Sequence, residues 1–131
     1  MAKFLGIDYG KKKIGLAVSD GSLAEAGQVL EVSGLADALH QIRQQVSKAG
    51  AEVVVVGRPD SGEALNLQQR FIKELKKACP DLEVVEADET LTSKQAASLM
   101  VESAVPKKRR TREDAYSAAL ILQNYLDSHG Q

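Results

Sequence analysis

The chain has 131 residues, 44% of them hydrophobic, with 17 basic and 18 acidic side chains for a net charge of −1. This length suits a single domain spanning 1–131 with one core, and the apolar content is too high for a disordered chain. The charge balance excludes a uniformly basic binder, no apolar run is long enough to span a bilayer, and the lone Cys79 permits no intrachain disulfide. No extended apolar stretch precedes Asp8, so no secretory signal is visible, and a cytoplasmic, membrane-free protein is expected.

The first twenty residues read as a hairpin. Lys3 to Gly10 and Ile14 to Asp20 are β-rich runs on either side of the turn Lys11-Lys12-Lys13. Strand side chains alternate between faces, so Leu5, Ile7 and Tyr9 share one face and Gly6 and Asp8 the other. On the second run Ile14, Leu16 and Val18 oppose Gly15, Ala17 and Ser19. Each strand thus has one bulky face and one face of very small residues. If the small faces coincide, Asp8 stands on a surface that a ligand, a metal or another helix must approach closely. Taken alone, Asp8 also reads as a turn-proximal side chain accepting backbone N–H groups.

Gln28–Val32 is expected as a third strand. Leu35, Ala38, Leu39, Ile42 and Val46 then recur at helical spacing, and Gly50 closes that helix, leaving His40 exposed. Val53–Val56 is a continuous β-branched run between Glu52 and Gly57, as in a parallel strand buried on both faces. The turn Arg58-Pro59-Asp60-Ser61-Gly62 leads into a helix with the stripe Ala64, Leu67, Phe71, Leu75 and Ala78. Leu82–Ala87 is a fifth strand. Thr92 to Gln95 has capping-box spacing and opens a helix through Ala104. Thr111 to Asp114 repeats that spacing and opens the last helix, whose stripe is Ala115, Ala118, Ala119, Leu122, Tyr125 and Leu126. Its alanine half can lie very close to a sheet. A hairpin start followed by crossovers predicts an α/β fold with a mixed five-stranded sheet, three antiparallel strands and then parallel ones, flanked by helices on both faces.

Acidic residues fall at element ends: Asp8 on the first strand, Asp88 and Glu89 past the fifth, Asp114 at the start of the last helix. Each has a structural reading, Asp88 or Glu89 as helix N-terminal charges and Asp114 as the partner of Thr111. Together they suit hard cations, which prefer carboxylate oxygen, whereas no His or Cys pair has zinc spacing. Two basic runs, Lys11-Lys12-Lys13 and Lys107-Lys108-Arg109-Arg110-Thr111-Arg112, lie close in sequence to these acids.

With these residues the chain resembles the YqgF/RuvX family of the RNase H-like superfamily, related to Holliday-junction resolvases. The family opening matches Gly6 to Asp20 almost throughout, its D-E-R-L-[ST]-[ST] matches Asp88-Glu89-Thr90-Leu91-Thr92-Ser93, and its closing pattern matches Asp114, Ala118, Ala119 and Ile121-Leu122-Gln123-Asn124-Tyr125-Leu126. The chain departs from the pattern at Lys13 and Thr90, each in place of Arg, and in a shorter loop carrying Arg58 where an apolar residue is usual. The resemblance implies an RNase H-like fold and an acidic site of Asp8, Glu89 and Asp114, with Asp88 as alternative to Glu89. It implies Mg²⁺- or Mn²⁺-dependent phosphodiester hydrolysis with two ions. The implied role is maturation of the 5′ end of 16S ribosomal RNA, with cleavage of branched DNA junctions as the older proposal. Lys11, Lys12, Lys13, Arg58, Lys107, Lys108, Arg109, Arg110 and Arg112 are the candidate nucleic-acid contacts of a monomer or weak homodimer. A non-catalytic nucleic-acid binder is a competing expectation. So is an ATP-binding fold of the actin/Hsp70 type, which also opens on a strand with Asp-x-Gly but needs a second half to enclose nucleotide.

Overall fold

The opening hairpin forms as β1 (Phe4–Tyr9) and β2 (Lys13–Ser19). Gly10 permits the turn, since a Cβ there would lie 2.5 Å from the Lys13 carbonyl oxygen. The computed structural model describes residues 3–59, 61–88 and 113–129, with the side chains of Asp88, Glu113, Asp114 and His129 outside that description. The other elements are β3 (Glu25–Glu31), α1 (Leu35–Ala49), β4 (Val53–Arg58), α2 (Gly62–Ala78), β5 (Glu83–Asp88) and α3 (Glu113–His129). The helix expected from Thr92 lies outside the described residues. No described helix is long and apolar enough to cross a membrane.

The sheet has the order β3-β2-β1-β4-β5. β1–β2 and β2–β3 are antiparallel, whereas β1–β4 and β4–β5 are parallel, which is the mixed sheet expected. β4 lies in the parallel half, and Val53 to Gly57 are all buried, as a strand covered on both faces requires.

Side-chain alternation splits the core in two. Leu5, Ile7, Tyr9, Ile14, Leu16, Val54 and Val56 meet Ala38 and Ile42 of α1 and Phe71, Ile72 and Leu75 of α2 on one face. Ala17, Val53 and Val55 meet Ala118, Ile121, Leu122 and Leu126 of α3 on the other. The small faces of the hairpin do coincide, because Gly6 pairs with Ala17 and Asp8 with Gly15. What approaches there is a helix. A Cβ on Gly6 would lie 2.8 Å from the Leu122 Cβ and 2.9 Å from the Ala118 carbonyl oxygen.

Two expectations shift. β3 begins three residues earlier than its apolar pattern indicates, at Glu25. Glu25 to Gln28 are exposed, so hydropathy carries no signal there. Pairing with β2, with a register shift between Gly15 and Ala17, holds the segment in the ladder. On α2 the buried residues are Gln68, Phe71, Ile72 and Leu75, while Ala64 and Ala78 are exposed. The stripe is rotated toward Gln68, a polar residue that apolar counting passes over. Its amide donates to Glu86 Oε1 at 3.2 Å.

Candidate functional site at the carboxyl edge of the sheet

β1, β4 and β5 run in parallel, so their carboxyl ends share one edge of the sheet. The pairs Ile7–Val56 and Gly57–Ala87 set Asp8, Gly57 and Ala87 in one row across that edge. Neighbouring strands stand about 4.8 Å apart, and Gly57 places no side chain between its neighbours. Ala87 packs against the apolar cluster on the α3 face. Asp8 is half-buried, on the same face, opposite Gly15.

α3 runs antiparallel to β1. Ala118 and Leu122 lie over Gly6, and Tyr125 meets Phe4 with ring centroids 6.2 Å apart. Going back from Ala118 to Asp114 covers four residues, about 6 Å of helix. Going forward from Gly6 to Asp8 covers two residues, about 6.6 Å of strand. The first turn of α3, which contains Asp114, is therefore level with Asp8 and on its face. The alanine stripe makes this approach possible, since Ala115 and Ala118 are fully buried where larger side chains would hold the helix off.

The other candidates divide. Asp88 ends β5 paired with Arg58, one step out of the row formed by Asp8 and Ala87. The Arg58 Nε lies 3.9 Å from Glu86 Oε1, and the guanidinium is more than half exposed. Lys11, Lys12 and Lys13 are exposed at the β1–β2 turn on the same edge. The Lys11 Nζ lies 3.4 Å from Glu63 Oε1 at the start of α2, on the face away from α3. Glu89 and Lys107, Lys108, Arg109, Arg110 and Arg112 lie outside the described residues.

Among the described residues no group of three His, Cys, Asp or Glu side chains is placed to hold a metal ion. The donor chemistry at the edge still fits a hard cation, which prefers carboxylate oxygen: Asp8 stands there in line with Gly15, Gly57 and Ala87.

Sequence reasoning missed Gln123, visible only as one letter of the closing motif. Its Oε1 accepts the Ala24 N–H at 2.8 Å, and its Nε2 donates to the Ser22 carbonyl at 3.3 Å. α3 is thereby tied to the β2–β3 connection about a hundred residues earlier in the chain.

Comparison with known proteins gives concordant matches. Residues 2–128 match the family model described as RuvX, Holliday junction resolvase. A relative from Chlorobaculum tepidum, under the provisional name of pre-16S rRNA nuclease, is 36% identical over 97% of this chain and 94% of its own. Among solved structures, RuvC of T. thermophilus in complex with a Holliday junction substrate superposes with a TM-score of 0.64 at 16% identity, covering 99% of this chain and 98% of that one. The Holliday junction resolvase of fowlpox virus superposes with a TM-score of 0.65 at 11% identity, covering 96% and 98%. The sheet order and flanking helices are thus those of the RuvC-like, RNase H-like fold.

Proposed function

The chain belongs to the RuvX family, and from that premise we propose that it is a metal-dependent nuclease that hydrolyses phosphodiester bonds in structured nucleic acid. The natural substrate in this reading is precursor 16S rRNA, the substrate in the name given to the Chlorobaculum tepidum relative, with cleavage at its 5′ end. The observation that carries the proposal is the placement of the first turn of α3 level with Asp8 over the glycine–alanine face.

Asp8, Glu89 and Asp114 are the proposed ligands of two Mg²⁺ or Mn²⁺ ions, with Asp88 the alternative to Glu89. Bound there, such ions would supply water activation and charge stabilisation for phosphodiester hydrolysis. Carboxylates gathered in one place repel one another, which a shared cation offsets. Asp8 lies on a central strand and Asp114 in a helix whose later turns pack on Gly6, elements suited to preorganising donors. Lys11, Lys12, Lys13 and Arg58 at the same edge, with Lys107, Lys108, Arg109, Arg110 and Arg112, position the phosphate backbone without reading sequence. The protein acts as a single domain over 1–131 in the cytoplasm, as a monomer or weak homodimer.

The family description favours a second substrate, the four-way DNA junction. One experiment separates the two. Precursor rRNA and a four-way junction are each incubated with wild type and Asp8→Asn, in Mg²⁺, Mn²⁺ or EDTA. Cleavage of the RNA that needs metal and is lost in Asp8→Asn supports the proposal, and the same pattern on the junction alone moves the substrate to DNA. Cleavage that persists in Asp8→Asn overturns the site, and binding without cleavage of either substrate leaves a non-catalytic binder.

A further inference from the structure

Tyr9 follows Asp8 on β1, and alternation puts it on the opposite face of the sheet. It is 9% exposed, and its ring stacks on Phe71 with centroids 4.4 Å apart. Its hydroxyl makes no hydrogen bond to a described residue. A phenol buried to this degree normally finds a partner, because an unmet polar group costs free energy. Tyr9 lines a cavity of about 300 Å³ together with Lys11, Gly34, Leu35, Leu67 and Arg70.

That cavity has the chemistry of an anion site. Lys11 and Arg70 bring two positive charges. Gly34 is the N-cap of α1 and supplies no side-chain cap, so first-turn N–H groups of the helix remain as donors. The acid of that turn, Asp37, is turned back on Ser33, just before the N-cap, its Oδ2 accepting the Ser33 N–H at 2.9 Å. Burial raises the Tyr9 pKa, more than the nearby Arg70 charge lowers it, so the hydroxyl remains a proton donor at neutral pH.

We propose that Tyr9, Lys11, Arg70 and the first turn of α1 form a second phosphate subsite, which takes a backbone phosphate of the nucleic-acid strand on the face opposite Asp8. The inference rests on the nuclease reading and extends it. Asp8 and Tyr9 are consecutive on β1 with side chains on opposite faces, so a strand that wraps the carboxyl edge passes both. This sets one phosphate at Asp8 and a later one beside Tyr9. In the free protein Lys11 is held by Glu63, an exposed pair that gives way readily.

The test is fluorescence anisotropy with a labelled RNA spanning the 5′ end of precursor 16S rRNA, in EDTA, from about 50 to about 200 mM salt. Arg70→Gln should weaken binding about tenfold and lower the salt slope by about 0.7 to 0.9. Lys11→Gln should act likewise, and the double variant should lose less than the sum, because both cations hold one phosphate. Tyr9→Phe should weaken binding several-fold while thermal stability holds or rises, a combination a purely structural tyrosine would not give. Glu63→Gln should tighten binding a few-fold by releasing Lys11. Wild-type affinity in both Arg70→Gln and Tyr9→Phe overturns the subsite and leaves the nuclease reading standing. Failure of the wild type to bind nucleic acid overturns that reading instead. AMP binding that Arg70→Gln abolishes, with RNA affinity unchanged, overturns the assignment to a nucleic-acid strand.

Discussion

Two aspartates illustrate how local and distant sequence fix a side chain's role. Asp37 belongs to its own neighbourhood. Its carboxylate is held below the ordinary value of 3.8, first by the Ser33 N–H, which outweighs desolvation, and then to a lesser degree by the Gln41 and Ser33 side chains and the His40 charge. A pKa lowered on folding contributes stability above the unfolded value and loses it as the pH falls through the folded one. Asp37→Asn should therefore be less stable than wild type at neutral pH, with the gap closing as denaturation is followed down through and below the carboxylate range. A gap that does not change with pH would contradict the assignment. Asp8 belongs to the whole chain: its neighbours in the row are Gly57 and Ala87, and the turn above it starts at Glu113. The alternation that isolates Asp8 was legible in the first ten residues. The cavity beside Tyr9 was not, because Leu67 and Arg70 arrive from another element and no local pattern announces them.

At the scale of elements, the packing of α3 on β1 decides the geometry of the candidate site. Gly6 and the stripe from Ala115 to Leu122 are one device, and the stripe was readable from its helical period. Replacing Gly6 with Ala would set a Cβ 2.8 Å from the Leu122 Cβ and 2.9 Å from the Ala118 carbonyl oxygen. Both neighbours belong to a packed helix with no flexible end to swing aside. The expected cost is about 1–3 kcal/mol, typical of overpacking, measured by urea denaturation. Because α3 carries Asp114, the same variant should lose nuclease activity beyond its loss of folded protein. A Gly6→Ala protein with wild-type stability would mean that α3 does not lie as close as described. β3 is the opposite case. Its first half, Glu25 to Gln28, is exposed and has no large apolar side chain, and only the ladder with β2 makes it a strand, so hydropathy missed its start at Glu25.

Across the whole molecule, net charge is near zero and the candidate phosphate-binding cations come as clusters. Lys11, Lys12, Lys13 and Arg58 are described at the carboxyl edge, and the run from Lys107 to Arg112 immediately precedes α3 in sequence. Each phosphate that the protein no longer neutralises should lower the salt slope of binding by roughly 0.7 to 0.9. Replacing Lys107, Lys108, Arg109 and Arg110 with Ser should accordingly weaken RNA binding and flatten its salt dependence. Unchanged affinity and slope would make the run a solvated connection.

Whether Asp8, Glu89 and Asp114 share cations can be tested without a substrate. Like charges at about 4 Å repel by on the order of 4 kcal/mol at an effective dielectric of 20, before counter-ions reduce it. Asp8→Asn removes one charge and keeps the shape. Thermal melts of wild type and Asp8→Asn are compared in EDTA and in Mn²⁺. The variant should equal or exceed wild type in EDTA. Mn²⁺ should stabilise wild type, by about 2.7 kcal/mol at a hundredfold excess over Kd, and the variant clearly less. A variant less stable than wild type in EDTA, with the same response to Mn²⁺, would rule out Asp8 as a cation ligand.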